Sequence, residues 1–199
     1  MKKLMLSNLL VLCALFSFAQ VNFGLKAGVN FSSFTGSDAS GSSTLTGFHA
    51  GGLVNIPISS MFSIQPELLY SGEGAKETGT SDNKLSLGYI NIPVLVQYNS
   101  SPDQGIYAET GPQLGILISA KEKDAGVSTD VKSSVKSTAV SWLLGIGYKL
   151  SGGVGFGARY AFGLTKIPSD KTADIKSNVI SVSVFKTFGN SGSGIMKKK

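Results

Sequence analysis

Cysteine is almost missing: the only one in the 199-residue chain, Cys13, lies in an apolar stretch near the N-terminus. Residues 1–19 read as a secretory signal, with Lys2 and Lys3 as its positive start, residues 4–18 as its apolar stretch, and Ser17 and Ala19 as the small residues ahead of cleavage at Gln20. Removing that segment leaves no thiol, which excludes disulfide scaffolds and cysteine-based metal sites. A lipid-attachment reading of Cys13 is disfavoured because Leu12 is large where such sites take a small residue. Histidine is just as scarce, with His49 alone, and the scattered acids supply no ligand spacing, so no metal and no cofactor is expected. Charged residues make up only 15%, and the formal charge of +6 drops to +4 without Lys2 and Lys3. Three of the remaining positives are the terminal Lys197, Lys198 and Lys199, and no basic patch interleaved with aromatics appears, so no nucleic-acid partner is expected. Beyond the signal, no run reaches the roughly 18 apolar residues of a membrane helix. Any membrane crossing must therefore be made by strands.

What the chain does have is alternation, which sends successive side chains to opposite faces of a strand. From residue 21 the apolar positions are Val21, Phe23, Leu25, Ala27, Val29 and Phe31, interleaved with Asn22, Gly24, Lys26, Gly28, Asn30 and Ser32. The same period returns in seven more segments, whose apolar faces begin at Phe48, Phe62, Ile90, Ile106, Val140, Val154 and Ile180. Eight such segments predict an all-β fold, an eight-stranded antiparallel up-and-down transmembrane β-barrel over residues 20–189, with residues 190–199 as a flexible tail. On the apolar faces only Lys186 is charged, consistent with a cost of roughly 2–4 kcal/mol for a mid-membrane charge, and its place near a strand end lets it snorkel. Aromatics gather at the segment ends. Phe23, Phe62, Tyr98, Tyr148, Phe156 and Phe188 mark one expected membrane interface; Phe31, Phe48, Tyr70, Trp142 and Phe162 mark the other.

The connections alternate in length. Residues 35–46, 71–84, 119–137 and 165–177 are long, polar and rich in Gly, Ser and Thr, whereas 59–60, 99–104 and 151–152 are short. Long extracellular loops and tight periplasmic turns have this pattern, with the N-terminus on the periplasmic side. Pro66, Pro93 and Pro112 fall inside the alternating segments, where a missing ladder donor predicts bulges or kinks.

Several short motifs occur in order: residues 23–30 (FGLKAGVN), 65–70 (QPELLY), 89–95 (YINIPVL), 107–115 (YAETGPQLG), 145–148 (GIGY) and 159–167 (RYAFGLTKI). Together they resemble the PorT-like outer-membrane β-barrel family of Bacteroidetes-type bacteria. The resemblance spans most of the mature chain. It implies the barrel fold and outer-membrane location, and it carries the association of the family's namesake with a secretion system; most members have no assigned activity.

Lys26, Glu67, Glu109 and Arg159 fall on the polar face and are expected to share the lumen. An eight-stranded barrel has room only for side chains, so a neutralising ion-pair network is the favoured reading and a charged gate the functional alternative. His49 follows a loop containing Asp38, Ser42 and Ser43, the residue types of an acyl-transferring site. Ser and Asp occur throughout the loops, so a lumen-lining polar histidine is preferred. The stretches Gly145-x-Gly147 and Gly153-x-Gly155-x-Gly157 open no helix and read as small lumen residues, not as a nucleotide loop. The expected protein is a monomeric, non-enzymatic barrel, surrounded by outer-membrane lipid, that binds a protein partner through its extracellular loops. Its rivals are a component of a secretion or envelope assembly, a lipid-modifying enzyme using His49, and a soluble exported barrel holding an apolar ligand.

Overall fold

Every alternating segment forms a strand. The computed structural model describes residues 21–37, 39, 42–77, 83–102, 104–124, 127–168 and 174–189; the expected signal segment, Asp38 and the expected tail lie outside the described residues. The strands are β1 (Asn22–Thr35), β2 (Ser42–Pro57), β3 (Phe62–Glu77), β4 (Lys84–Asn99), β5 (Gly105–Asp124), β6 (Val127–Asp130), β7 (Thr138–Lys149), β8 (Val154–Gly163) and β9 (Lys176–Phe188). All pairings are antiparallel. β6 is a short ribbon on the end of β5, and the other eight strands form a ring in which β9 lies between β8 and β1 while β4 pairs with β5. A closed ring leaves no strand edge in lipid, where each unsatisfied backbone group costs several kcal/mol.

The two faces separate as the alternation requires. Leu25, Val29, Phe31, Leu68, Val94, Ile146 and Val184 are exposed on the outside, while Lys26, Asn30, His49, Glu67 and Gln97 are buried within. The apolar rows therefore face outward, which removes the rival reading of an apolar ligand cavity inside a soluble barrel.

Two expectations are corrected. Residues 71–84 and 119–137 were expected to be long loops, yet β3 continues to Glu77, β4 begins at Lys84 and β5 continues to Asp124. A spanning strand needs only about 9–11 residues, so the 16, 16 and 20 residues of β3, β4 and β5 carry a wall beyond the bilayer. Likewise β2 starts at Ser42, within the expected loop 35–46. Above the apolar band neither face meets lipid, so strand continues without hydrophobic alternation.

The second correction concerns the prolines. Register is unbroken across Pro66, Pro93 and Pro112: each keeps a paired partner on one neighbouring strand, respectively Val94, Gln113 and Trp142, and lacks one on the other. A proline removes one donor, hence one side of the ladder, and the register carries through the gap without a bulge. The register shifts fall elsewhere, between Thr44 and His49 of β2 and between Gly88 and Tyr89 of β4.

Candidate functional site

The lumen is built by inward positions of alternate strands. Lys26 of β1, Glu67 of β3, Glu109 of β5 and Arg159 of β8 are all buried and meet at one level. Arg159, the chain's only arginine, presents a fork to Glu67, with Nη1 to Oε2 and Nη2 to Oε1 both at 2.7 Å, while its Nε donates to Glu109 Oε1. Lys26 Nζ adds a 2.7 Å bond to Glu67 Oε1. Two cations thus face two carboxylates. Gln65 Nε2 donates to Glu67 Oε1 at 2.8 Å and Gln97 Nε2 to Glu109 Oε2 at 3.1 Å. Such saturation is what allows charge to persist inside a barrel.

Lys149, one layer toward the short turns, is held by amide oxygens, with Nζ donating to Gln97 Oε1 and Asn99 Oδ1. It also lies 5.6 Å from the centre of the Tyr107 ring. Space for these long side chains comes from glycines on the facing strands. A Cβ on Gly145 would lie 2.8 Å from Glu109 Oε1, and one on Gly147 would lie 2.4 Å from the Tyr107 ring.

Toward the rim, His49 sits in the lumen wall and not in a loop site. Its Nδ1 lies 2.8 Å from Asn30 Oδ1 and its Nε2 2.8 Å from Ser183 Oγ. A neutral ring with the proton on Nδ1 satisfies both: Nδ1–H donates to the amide oxygen and Nε2 accepts from the hydroxyl. The chain of bonds continues from Asn30 to Ser71 at 2.9 Å, then to Glu73 at 2.9 Å, which also accepts from Asn91 at 2.9 Å. Ser42 and Ser43 pair with Glu77 and Lys76 at the far end of β2, whereas His49 pairs with Ser71 and Gly28. The structure does not bring these serines to the histidine. Ser42 Oγ instead donates to Phe34 O.

Two interior cavities flank Glu73, of about 30 Å³ beside His49 and Arg159 and about 20 Å³ beside Tyr89 and Ser177. Each has room for one or two water molecules. Above them the mouth is covered by an apolar cluster of Leu87, Tyr89, Leu117, Ala120, Val135 and Ile167. Two connections are pinned together to make it. Val135 bridges Pro168, Lys136 N–H donates to Ile167 O at 2.9 Å, and Ile167 N–H donates to Ile175 O at 2.8 Å. Sequence reading missed this cover because Val135 and Ile167, which complete it, are isolated apolar residues in polar connections and carry no period.

The aromatic positions lie outside the barrel. Near the short turns Phe23 pairs with Phe188, and the Phe62–Tyr98 and Tyr148–Phe156 rings lie 5.3 and 6.2 Å apart. At the other end Phe48 and Tyr70 are 5.3 Å apart and Trp142 pairs with Phe162, while Phe31 faces outward in the same zone. Trp142 Nε1 donates to Thr110 Oγ1 at 2.9 Å, so its polar atom is satisfied on an otherwise apolar face. Lys186 bends to the turn at the barrel's short-loop end, where Nζ donates to Gly152 O.

Residues 18–169 match the model of the outer membrane protein beta-barrel domain. No curated protein matches the chain. Among solved structures, Ail, the attachment invasion locus protein of Yersinia pestis, is similar at 14% identity and a TM-score of 0.52, covering 85% of this chain and 99% of its own. Neisserial surface protein A is similar at 17% identity and a TM-score of 0.55, covering 83% of this chain and 97% of its own. At such identities the likeness carries the fold, and the outward apolar rows and closed eight-strand ring agree with it. The matched segment stops before β9, which supplies the closing strand of the same ring. The chain belongs to the outer membrane protein β-barrel domain family and is an outer-membrane β-barrel protein.

Proposed function

We propose that this protein is a non-enzymatic, monomeric barrel that works through its extracellular rim, binding a protein partner there while its lumen stays closed. The observation that carries this reading is the filled interior: a saturated four-residue ion-pair network at mid-height and an apolar cover over the mouth. The network is structural. A conducting lumen needs a continuous wet path, and the flanking cavities of about 20 and 30 Å³ have room for only one or two waters each. What remains accessible is the tall wall of β3, β4 and β5 with its pinned connections, a preordered surface of the kind that binds with little reorganisation.

The ordered motifs that resemble the PorT-like barrels support a narrower version, in which the partner belongs to a secretion or envelope assembly. The test is paired. Refolded protein in planar bilayers is expected to give no steady current, and replacing residues 131–136 by a short Gly-Ser link is expected to abolish partner capture from envelope extracts while leaving the barrel heat-modifiable. Steady unitary currents would sink the closed-lumen reading.

A further inference from the structure

Lys26, Arg159, Glu67 and Glu109 neutralise one another at mid-lumen, but a further carboxyl higher in the barrel has no such balance. Glu73 lies on β3, three residues beyond Tyr70, and is buried. Ser71 Oγ and Asn91 Nδ2 both donate to its Oε1 at 2.9 Å. Ser177 Oγ, a buried atom as well, comes up to the same carboxyl from β9 without the alignment of a hydrogen bond. None of the ion pairs among the described residues includes Glu73. The cavities of about 20 and 30 Å³ flank it, and both are lined by Glu73, Asn91 and Gln113.

The charged and titratable groups that face this space are otherwise engaged. Arg159, on the lower cavity, is held by Glu67 and Glu109. His49 has both ring nitrogens in hydrogen bonds, and the Tyr89 phenol brings no positive charge. On the upper cavity Lys166 lies 3.6 Å from Asp174, and Lys136 lines the wall without pairing to Glu73. Enclosing a carboxylate with no counter-ion is costly, so the acid must keep either a proton or a small cation.

We propose that Glu73 and the cavities beside it form a binding site for one monovalent alkali cation, sodium or potassium. One carboxylate balances one positive charge, whereas a divalent ion would leave an excess. The groups bordering the acid, Ser71, Ser177 and Gln113, offer hydroxyl and amide oxygens, hard donors suited to such an ion and not to soft metals. Room for one or two waters admits an ion with a water and excludes a methylated ammonium. A cation also gives the Ser177 oxygen the partner it lacks. The ion enters from the extracellular rim, because the upper cavity runs out to the exposed Thr138 and to Thr165 on the pinned connections. The site does not rest on partner binding at the rim.

The test uses mature protein refolded in zwitterionic lipid bilayers and unfolded with urea in sodium, potassium, calcium or choline chloride at equal ionic strength. At about pH 8 the alkali salts are expected to stabilise the barrel relative to choline; sodium at about ten times its dissociation constant raises the folded-to-unfolded ratio about tenfold. At about pH 5 a proton takes the place of the ion, and the difference between sodium and choline is expected to vanish. Glu73→Gln keeps the shape, removes the charge and is expected to abolish the alkali effect while the band stays heat-modifiable. The milder Ser177→Ala is expected to weaken sodium binding without loss of stability in choline, and Lys136→Met to leave the alkali effect in place. Equal stability in sodium, potassium and choline would overturn the proposal, as would an alkali effect that survives Glu73→Gln. Stronger stabilisation by calcium than by sodium would make this a divalent site, and loss of the alkali effect in Lys136→Met would tie it to that lysine; either result refutes the assignment.

Discussion

Glu67→Gln is the sharpest probe of the lumen. Glu67 accepts four hydrogen bonds, two from Arg159, one from Lys26 and one from Gln65, and it balances half the positive charge of the cluster. The substitution preserves shape but leaves Lys26 and Arg159 facing Glu109 alone. Breaking a buried pair by removing one partner costs about 3–5 kcal/mol, because the stranded charge stays out of water. A double variant, Lys26→Met with Glu67→Gln, removes one charge of each sign and leaves the Arg159–Glu109 pair intact. It should recover most of that loss. The assay is urea unfolding of protein refolded in lipid bilayers, followed by the fluorescence of Trp142, the only tryptophan, on the lipid-facing surface. A Glu67→Gln loss below about 1 kcal/mol, or a double variant no better than the single, would refute the claim that mutual neutralisation holds this layer together.

Other outcomes follow from the same interior. His49→Ala removes the ring partner of Ser183 Oγ and one of the two donors to Asn30 Oδ1, which keeps Ser181, so it should lower stability by about 1–3 kcal/mol in the same urea assay while the barrel remains heat-modifiable on gels. Gly147→Val places methyl groups against Tyr107 and the Phe156 carbonyl, and overpacking of about 1–3 kcal/mol or more should appear as a reduced refolding yield. Ile167→Asp puts a carboxylate into the apolar cover; hydrogen exchange should accelerate at residues 131–136 and stay unchanged in β1 and β9, whereas uniform acceleration would mean that the cover is part of the global fold. Deleting residues 176–188 removes the partner of 13 positions on β1 and nine on β8, so the truncated chain should fail to insert; a heat-modifiable truncated band would contradict the closure argument.

Legibility followed the solvent. Where lipid faces one side and the packed lumen the other, the difference in cost between a leucine and a lysine imposes a period of two, and segments such as Phe23 to Phe31 announce both strand and facing. Above the bilayer that contrast vanishes: outward Gly72, Gly74 and Lys76 alternate with inward Ser71, Glu73 and Ala75, all compatible with a loop, and the strand was invisible. Facing was also easier to read than contact. Lys26 and Glu67 are joined across β2, which lies between their strands, and Arg159 reaches Glu67 from β8, so the network depends on how the ring closes and not on any local spacing.

The same dependence explains why charge counting undervalued the strand wall beyond the bilayer. Along the chain Lys76, Lys84 and Lys123 are ordinary lysines scattered through polar stretches, and nothing in their spacing suggests a cluster. Only the register of three strands turns them into one row. Repulsion at each crossing then works against the sheet that creates it, and a fold that keeps such an arrangement on a fully paired strand must recover the loss from its surroundings.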